Sequence, residues 1–189
     1  MHAVHNGRLE AICKGNAMSE RLSAPFVIEQ FIKAPRELVY AAFTQGEHLS
    51  HWMRPPGMVM TQCEVGAREG GSFHYGMRAE AMPQAPAMWG KWSFRELKAP
   101  ERIVVVVQFS DAAGGVTRHP MAPQWPLYTL STTTLSEEAG GTRIHLEWRA
   151  LNASAVEEAV FDSSHASMNM GWSGSMQLLA GYLARIQAA

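Results

Sequence analysis

The stretch that decides the fold spans residues 140–186 and reads GGTRIHLEWRALNASAVEEAVFDSSHASMNMGWSGSMQLLAGYLARI. Apolar and polar side chains alternate over residues 142–149, with Leu146 and Trp148 in the same phase, which is the period of a strand with one buried face. Over residues 156–186 the period changes to three and four residues, and no proline interrupts it. The stretch therefore predicts a hairpin strand that leads into one long amphipathic helix.

This helix has a predicted start and a predicted apolar stripe. Asn152 or Ser154 is expected to cap it, and Glu157 and Glu158 lie in the first turn, where acidic residues favour the helix dipole. The stripe consists of Met168, Trp172, Ser175, Leu179, Tyr182, Leu183 and Ile186. Such a stripe needs an apolar surface to cover, and the preceding chain supplies one.

The chain before this stretch has mainly the pattern of strands separated by glycine and proline turns. Strand patterns occupy residues 26–32, 58–65, 72–78, 88–97, 103–109 and 127–135. Two short helices, over residues 36–44 and 47–53, are predicted directly after the first strand. The order predicts an α+β fold, in which a curved antiparallel β-sheet of about seven strands wraps around a long C-terminal α-helix.

Composition excludes several classes of protein. The 189 residues include 16 Lys and Arg and 17 Asp and Glu, for a net charge of −1, and only 17% of the residues are charged. A broad nucleic-acid surface would need a basic excess, and no apolar run reaches the roughly 18 residues of a membrane span. The 12 Met and 6 Trp residues suit a packed core and a ligand cavity equally well.

Residues 1–22 are predicted to be a disordered N-terminal extension ahead of a single domain at residues 23–189. The extension lacks the apolar stretch of a secretory signal. Cys13 and Cys63 are far apart and show no metal-ligand spacing, so neither a disulfide framework nor a structural zinc site is expected. A cytoplasmic location is the corresponding expectation.

The histidines favour neither a metal nor a cofactor. His48 and His51 are three residues apart on a short helix, but no carboxylate stands at a supporting spacing, so solvated histidines are expected. His74 and His145 fall on the outward phase of their strands, which predicts surface positions.

Acid–base candidates are few. The nearest candidates for acid–base chemistry are Arg78, His74 and Glu96. The outward phase of His74 argues against a catalytic role for this residue. Glu96 shares the phase of Trp92 and Phe94 and would point inward unless a bulge intervenes, so it is the one weak catalytic candidate.

Several short motifs resemble, in order, those of one family. They are FIKAPRELVYAAFT at 31–44, HLSHWMRP at 48–55, AREGGSF at 67–73, ELKAPERIV at 96–104, GGTRI at 140–144 and MGW at 170–172. The chain thus resembles SRPBCC or START-like proteins over residues 26–187, in the branch related to the activator of the ninety-kilodalton heat-shock-protein ATPase. It departs from that pattern at Met53, where a second Trp is usual, and at Gly66, where an Asp is usual. The loop at 114–127 is also longer than in simple members and is expected to cover one mouth of the cavity.

The resemblance implies a helix-grip fold that binds a hydrophobic small molecule between the sheet and the C-terminal helix. Together with strand phase, it predicts these cavity residues: Trp52, Phe73, Tyr75, Trp92, Phe94, Tyr128, Trp148, Met168 and Trp172. The expected ligand is hydrophobic or aromatic, lipid-like or polyketide-like. Two alternatives stay open: a cyclase-type or hydrolase-type enzyme using the same cavity, and a co-chaperone-like or homodimeric interaction module with Trp125 as an exposed anchor.

Overall fold

One antiparallel sheet forms most of the structure. This structure, a computed structural model, describes residues 20–188. The strands are β1 (Phe26–Ile32), β2 (Met58–Val65), β3 (Ser72–Ala79), β4 (Met88–Lys98), β5 (Arg102–Ser110), β6 (Val116–Thr117), β7 (Thr129–Glu138) and β8 (Gly141–Ala150). Their order across the sheet is β1-β8-β7-β5-β4-β3-β2, and the short β6 pairs with β5 outside that path. The sheet curls as a half-barrel, as the α+β prediction requires.

Four helices accompany the sheet. Helices α1 (Arg36–Thr44) and α2 (Gly46–Trp52) follow β1, as predicted, and α3 (Ala155–Ser163) and α4 (His165–Gln187) follow β8. The buried residues of α4 are Met168, Ser175, Met176, Leu179, Tyr182 and Leu183. None of the helices between residues 20 and 188 is long and apolar enough to cross a membrane.

The C-terminal helix was predicted as one piece, and it is two. The hydroxyls of Ser163 and Ser164 both donate to the carbonyl oxygen of Val160, at 3.0 and 2.7 Å. The Ser164 amide instead donates to Phe161 O at 3.1 Å, one residue short of the α-helical partner. Serine hydroxyls that compete for a helix carbonyl in this way end or bend the helix, and α4 begins anew at His165.

Ser154 is the residue that caps α3. Its hydroxyl accepts a hydrogen bond from the Glu157 amide, and the Glu157 carboxylate accepts one from the Ser154 amide at 2.8 Å. Asn152, the other candidate, has a φ of 52° and accepts from the amide of Arg21 through its side chain at 2.9 Å. Both residues thus hydrogen-bond within the turn between β8 and α3, but only Ser154 caps the helix.

The concave face of the sheet and the helices enclose the main core. Phe73 and Phe94 are fully buried there, and Trp52 lies against Phe43 with ring centroids 4.7 Å apart. The Trp52 indole N–H donates to the carbonyl oxygen of Ala42 at 2.8 Å, so its single polar atom is satisfied inside the core.

A second, smaller core lies on the convex face. Val106, Tyr128 and Leu151 form it, and the chain before β1 covers its edge, where Leu22 bridges Leu151. Glu20 forms a bidentate ion pair with Arg95 of β4, whose two terminal guanidinium nitrogens donate to the carboxylate oxygens at 2.6 and 3.0 Å. Residues 20–22 of the predicted extension therefore contact the domain, and residues 1–19, with Cys13, lie outside the described residues.

His74 also lies on this convex face, but it is buried, and the prediction of a surface position was wrong. Its ring stacks on Trp89 at 5.2 Å, and its Nε2 lies 3.1 Å from the carbonyl oxygen of Asp111. Trp89 is the covering group that strand phase alone does not reveal. His145 does lie at the surface, within 3.1 Å of Glu29.

Candidate ligand cavity

A cavity with two adjoining compartments lies between the sheet and α4. The inner compartment has a volume of about 240 Å³ and is lined by Met53, Pro55, Tyr75, Met77, Trp92, Val107, Ser131, Trp148, Met168, Gly171, Trp172 and Ser175. The outer one, of about 410 Å³, is lined by Tyr75, Val107, Gln108, Phe109, His119, Ala122, Trp125, Thr129, Trp148, Ser164, Ser167 and Met168. Four residues are common to both, and the joint volume falls within the roughly 300–1,000 Å³ typical of ligand sites.

Tyr75 stands at the junction of the two compartments, and a glycine on the neighbouring strand makes room for its ring. Gly90 is directly opposite Tyr75 in the β3–β4 register. A Cβ atom at Gly90 would lie 2.4 Å from both Cζ and the hydroxyl oxygen of Tyr75. Burial raises the pKa of Tyr75 to about 12, although a hydrogen bond from Trp92 opposes the rise, so the phenol is neutral at physiological pH.

The loop between β6 and β7 closes the outer compartment. Trp125 of this loop packs against Phe161 and Trp148, with centroid distances of 5.5 and 6.2 Å. Arg118 donates to the carbonyl oxygen of Trp125 at 3.1 Å and forms an ion pair with Glu157 of α3. The expectation of Trp125 as an exposed anchor for a partner was wrong, because its ring packs against the main core.

His119 lies in the same loop and has a fixed tautomer. The amides of Met121 and Ala122 both donate to its Nδ1, each at 3.1 Å, so Nδ1 holds a lone pair and Nε2 carries the proton. Its ring packs between Phe109, at 4.4 Å, and Trp125, at 6.2 Å. Burial lowers the pKa of His119, which favours the neutral ring.

The structure brings five of the nine predicted cavity residues together and places four elsewhere. Tyr75, Trp92, Trp148, Met168 and Trp172 line the inner compartment. Trp52, Phe73 and Phe94 are fully buried in the packed core and line neither compartment. Tyr128 lies in the convex-face cluster, on the opposite side of the sheet.

Sequence reasoning missed several lining residues. Val107 and Ser131 had a usable signal, because each is in phase with core residues of its own strand. Gly171 stands one turn from Ser175 and Met168 on α4, which also places it near the inward stripe. His119 had no periodic signal, because its loop has no regular structure.

Glu96, the weak catalytic candidate, does not point into the cavity. The register between β4 and β5 shifts between Phe94, opposite Val105, and Glu96, opposite Val104. The extra residue turns Glu96 to the other face of the sheet, where its carboxylate accepts from Arg102 Nε at 3.2 Å and its side chain is 43% exposed. The expectation of an inward acid was wrong because of this bulge.

Both histidines of α2 contact Tyr182 of α4, and of the two only His51 is exposed. His48 Nδ1 lies 2.7 Å from the Tyr182 hydroxyl, and the His51 ring stacks on the Tyr182 ring at 4.7 Å. His48 therefore departs from the expectation of a solvated side chain. The residues from 20 to 188 contain no group of three or more His, Cys, Asp or Glu side chains placed to hold a metal ion.

A larger depression of about 700 Å³ lies at the far end of the molecule, between the start of α1, the β7–β8 turn and the end of α4. Its lining includes Lys33, Arg36, Glu37, Glu137 and Glu138. Arg36 and Glu137 are already paired with each other, at 3.1 Å. This depression is charged and open, and it has no aromatic lining, so the cavity beneath α4 is the candidate ligand site.

The curled sheet that grips a long C-terminal helix defines a helix-grip fold. Residues 33–184 match the family described as "Activator of Hsp90 ATPase homolog 1-like protein", and the chain belongs to this family. No curated protein matches the sequence.

Solved structures of bacterial proteins share the fold at low sequence identity. A protein from Arthrobacter aurescens has a TM-score of 0.68 and 19% identity, covering 87% of this chain and 91% of its own. A protein from Chromobacterium violaceum has a TM-score of 0.63 and 24% identity, covering 83% and 94%. An AHSA1 protein from Silicibacter pomeroyi has a TM-score of 0.64 and 18% identity, covering 85% and 98%. These likenesses concern the fold alone.

Proposed function

We propose that the protein binds a hydrophobic or aromatic small molecule, lipid-like or polyketide-like, in the cavity beneath α4. The observation that carries this proposal is the inner compartment, whose walls are mainly aromatic rings and methionines. Trp148 and Trp172 meet there edge to face, with centroids 6.0 Å apart. An apolar cavity with a few placed polar groups is the common form of a small-molecule site.

The features of the cavity favour binding over catalysis. The residue that would supply an inward acid, Glu96, faces the other side of the sheet and is paired with Arg102. The phenol of Tyr75 stays protonated, and two backbone amides occupy the lone pair of the His119 ring, so neither group offers a free basic atom to a ligand. General acid–base catalysis needs such a group within hydrogen-bond reach of the reacting proton.

A blocking variant on α4 tests the proposal. Gly171 lines the inner compartment, and a Cβ there would meet no heavy atom within 4 Å. Gly171→Leu places an apolar side chain at the cavity wall. Gly181→Leu is the matched control, because Gly181 is exposed on the same helix and its new Cβ would approach only Arg185, at 3.7 Å.

The readout is a fluorescence titration with the neutral apolar probe N-phenyl-1-naphthylamine. We expect the wild type and Gly181→Leu to bind the probe alike, and Gly171→Leu to bind it about tenfold or more weakly. Both variants should keep their helix content, since leucine favours a helix interior more than glycine does. Undetectable binding to the wild type, or equal affinity for Gly171→Leu, would refute the proposal.

A further inference from the structure

Neither compartment of the cavity presents a formal charge among the described residues. The lining contains no Asp, Glu, Lys or Arg. The one imidazole in it, that of His119, accepts from two backbone amides, and burial lowers its pKa, so both features favour the neutral ring. An ionised carboxylate or ammonium group enclosed here would lose its hydration without gaining a counter-ion, which is strongly unfavourable.

Most hydrogen-bond donors of the cavity wall are already used by the protein. The hydroxyls of Thr129, Ser164 and Ser167 donate to backbone carbonyl oxygens at 3.3, 2.7 and 2.8 Å. The Ser175 hydroxyl donates to Arg54 O at 2.8 Å, and the Trp148 indole N–H donates to Thr129 Oγ1 at 2.6 Å. The hydroxyls can still accept a hydrogen bond, but neither they nor the indole has a proton left to give.

Donors of the lining residues remain on Tyr75, His119, Ser131 and Gln108, and the buried side-chain amide of Gln108 has no hydrogen-bond partner among the described residues. The Tyr75 hydroxyl lines both compartments and donates to no acceptor among the described residues, so its proton is free to be donated. The tautomer of His119 leaves its Nε2–H as the donor on a ring that lines the outer compartment. Ser131 adds a hydroxyl in the wall of the inner compartment. The cavity therefore offers neutral donors beside aromatic surface.

Building on the proposed function, we infer that the ligand is an uncharged aromatic molecule with a hydrogen-bond acceptor, such as a ketone, which Tyr75 and His119 bind through their donor hydrogens. The aromatic body lies in the inner compartment among Trp92, Trp148 and Trp172. The acceptor group lies at the junction and in the outer compartment. The same site discriminates against an ionised acid of equal size and shape.

Three naphthalenes of matched shape test this inference by equilibrium dialysis near neutral pH: 2-acetylnaphthalene, 2-methylnaphthalene and 2-naphthoate. One net hydrogen bond predicts that the ketone binds about 2- to 12-fold more tightly than the hydrocarbon. The carboxylate is expected to bind about tenfold or more weakly than the ketone, because its charge stays unpaired.

The double variant Tyr75→Phe/His119→Phe removes the two donors that are carried on aromatic rings and leaves those of Ser131 and Gln108. We expect it to lose the preference for the ketone over 2-methylnaphthalene, a ratio that a change in affinity common to both compounds does not alter. A wild type that binds 2-naphthoate as tightly as the ketone overturns the inference and leaves the proposed function standing, as does a ketone preference that survives in the double variant. If none of the three compounds binds the wild type, the proposed function fails, and this inference fails with it.

Discussion

Replacing Gly90 with alanine would disturb the cavity through Tyr75 alone. The new methyl group would lie 2.4 Å from two atoms of the Tyr75 side chain and 2.8 Å from Cε2. Carbon atoms pack favourably at about 3.5–4.0 Å, so the ring must move by about 1 Å or more. Phe73 blocks one side of the ring, with centroids 4.7 Å apart, and the open side is the cavity.

The expected loss of stability is the cost of overpacking the core, less the stability gained because alanine has less conformational freedom than glycine in the unfolded chain. Overpacking a core costs about 1–3 kcal/mol, and replacing a strand glycine with alanine returns about 0.5–1 kcal/mol. Taken at the middle of each range, the net loss is about 1 kcal/mol, which lowers Tm by about 2–4 °C for a chain of this length. The displaced ring also fills cavity volume, so affinity for N-phenyl-1-naphthylamine should fall in the same variant.

Thermal unfolding followed by circular dichroism measures the effect, with Gly66→Ala as the control. A Cβ at Gly66 would lie 3.5 Å from Arg68 and 3.9 Å from Ser72, which is ordinary contact. In a Tyr75→Leu background the Gly90→Ala penalty should largely vanish, because the clashing ring is gone. The reasoning is refuted if Gly90→Ala has the Tm of the wild type, or if its penalty persists without the Tyr75 ring.

Three further predictions concern α3 and β4. Ser154→Ala should lower stability in urea by about 1 kcal/mol through loss of the helix cap, whereas Ser163→Ala, at an exposed hydroxyl, should change it by less than about 0.5 kcal/mol. Burial opposes ionisation of Glu157, but hydrogen bonds from Arg118 and Ser154 outweigh it and hold its pKa below the usual value of 4.5. The folded protein thus gains stability from ionised Glu157 above that value and loses it as the pH falls through the lower folded pKa. Glu157→Gln should flatten this acid limb of a stability–pH curve, and an unaltered limb would contradict the assignment. Glu96→Gln should leave the affinity for N-phenyl-1-naphthylamine unchanged in a fluorescence titration. A marked loss of affinity would show that Glu96 acts at the ligand site.

Strand phase predicts the face of the sheet on which a residue lies, but not its position along the strand. Tyr75 and Phe73 share a phase on β3, yet Tyr75 borders the cavity and Phe73 lies in solid packing. The difference depends on which other residues pack on each side chain, and long-range contacts determine that. The alternation of the strand therefore predicts which residues face inward, but it assigns too many of them to the cavity.

The remaining differences arise where regular geometry ends. The strand and helix patterns predicted β1 and α1 with the bounds that the structure has, because their periods are uninterrupted. Glu96 follows a single extra residue in β4, and no alternation of apolar residues reveals such an insertion. His119 lies in a loop that an ion pair between Arg118 and Glu157 holds, across 39 positions of sequence. Neither feature has a local signal.

The bulge of β4 is also a place where the number of residues, and not their identity, decides the regularity of the sheet. Deleting Arg95 would make Phe94 and Glu96 direct neighbours, and neighbours on a strand point to opposite faces, so Glu96 would stay on the convex face. The deletion would regularise the ladder with β5 and remove the ion pair with Glu20. A loss or gain of one residue at this position is thus a way to attach or release the chain before β1 without altering the wall of the cavity.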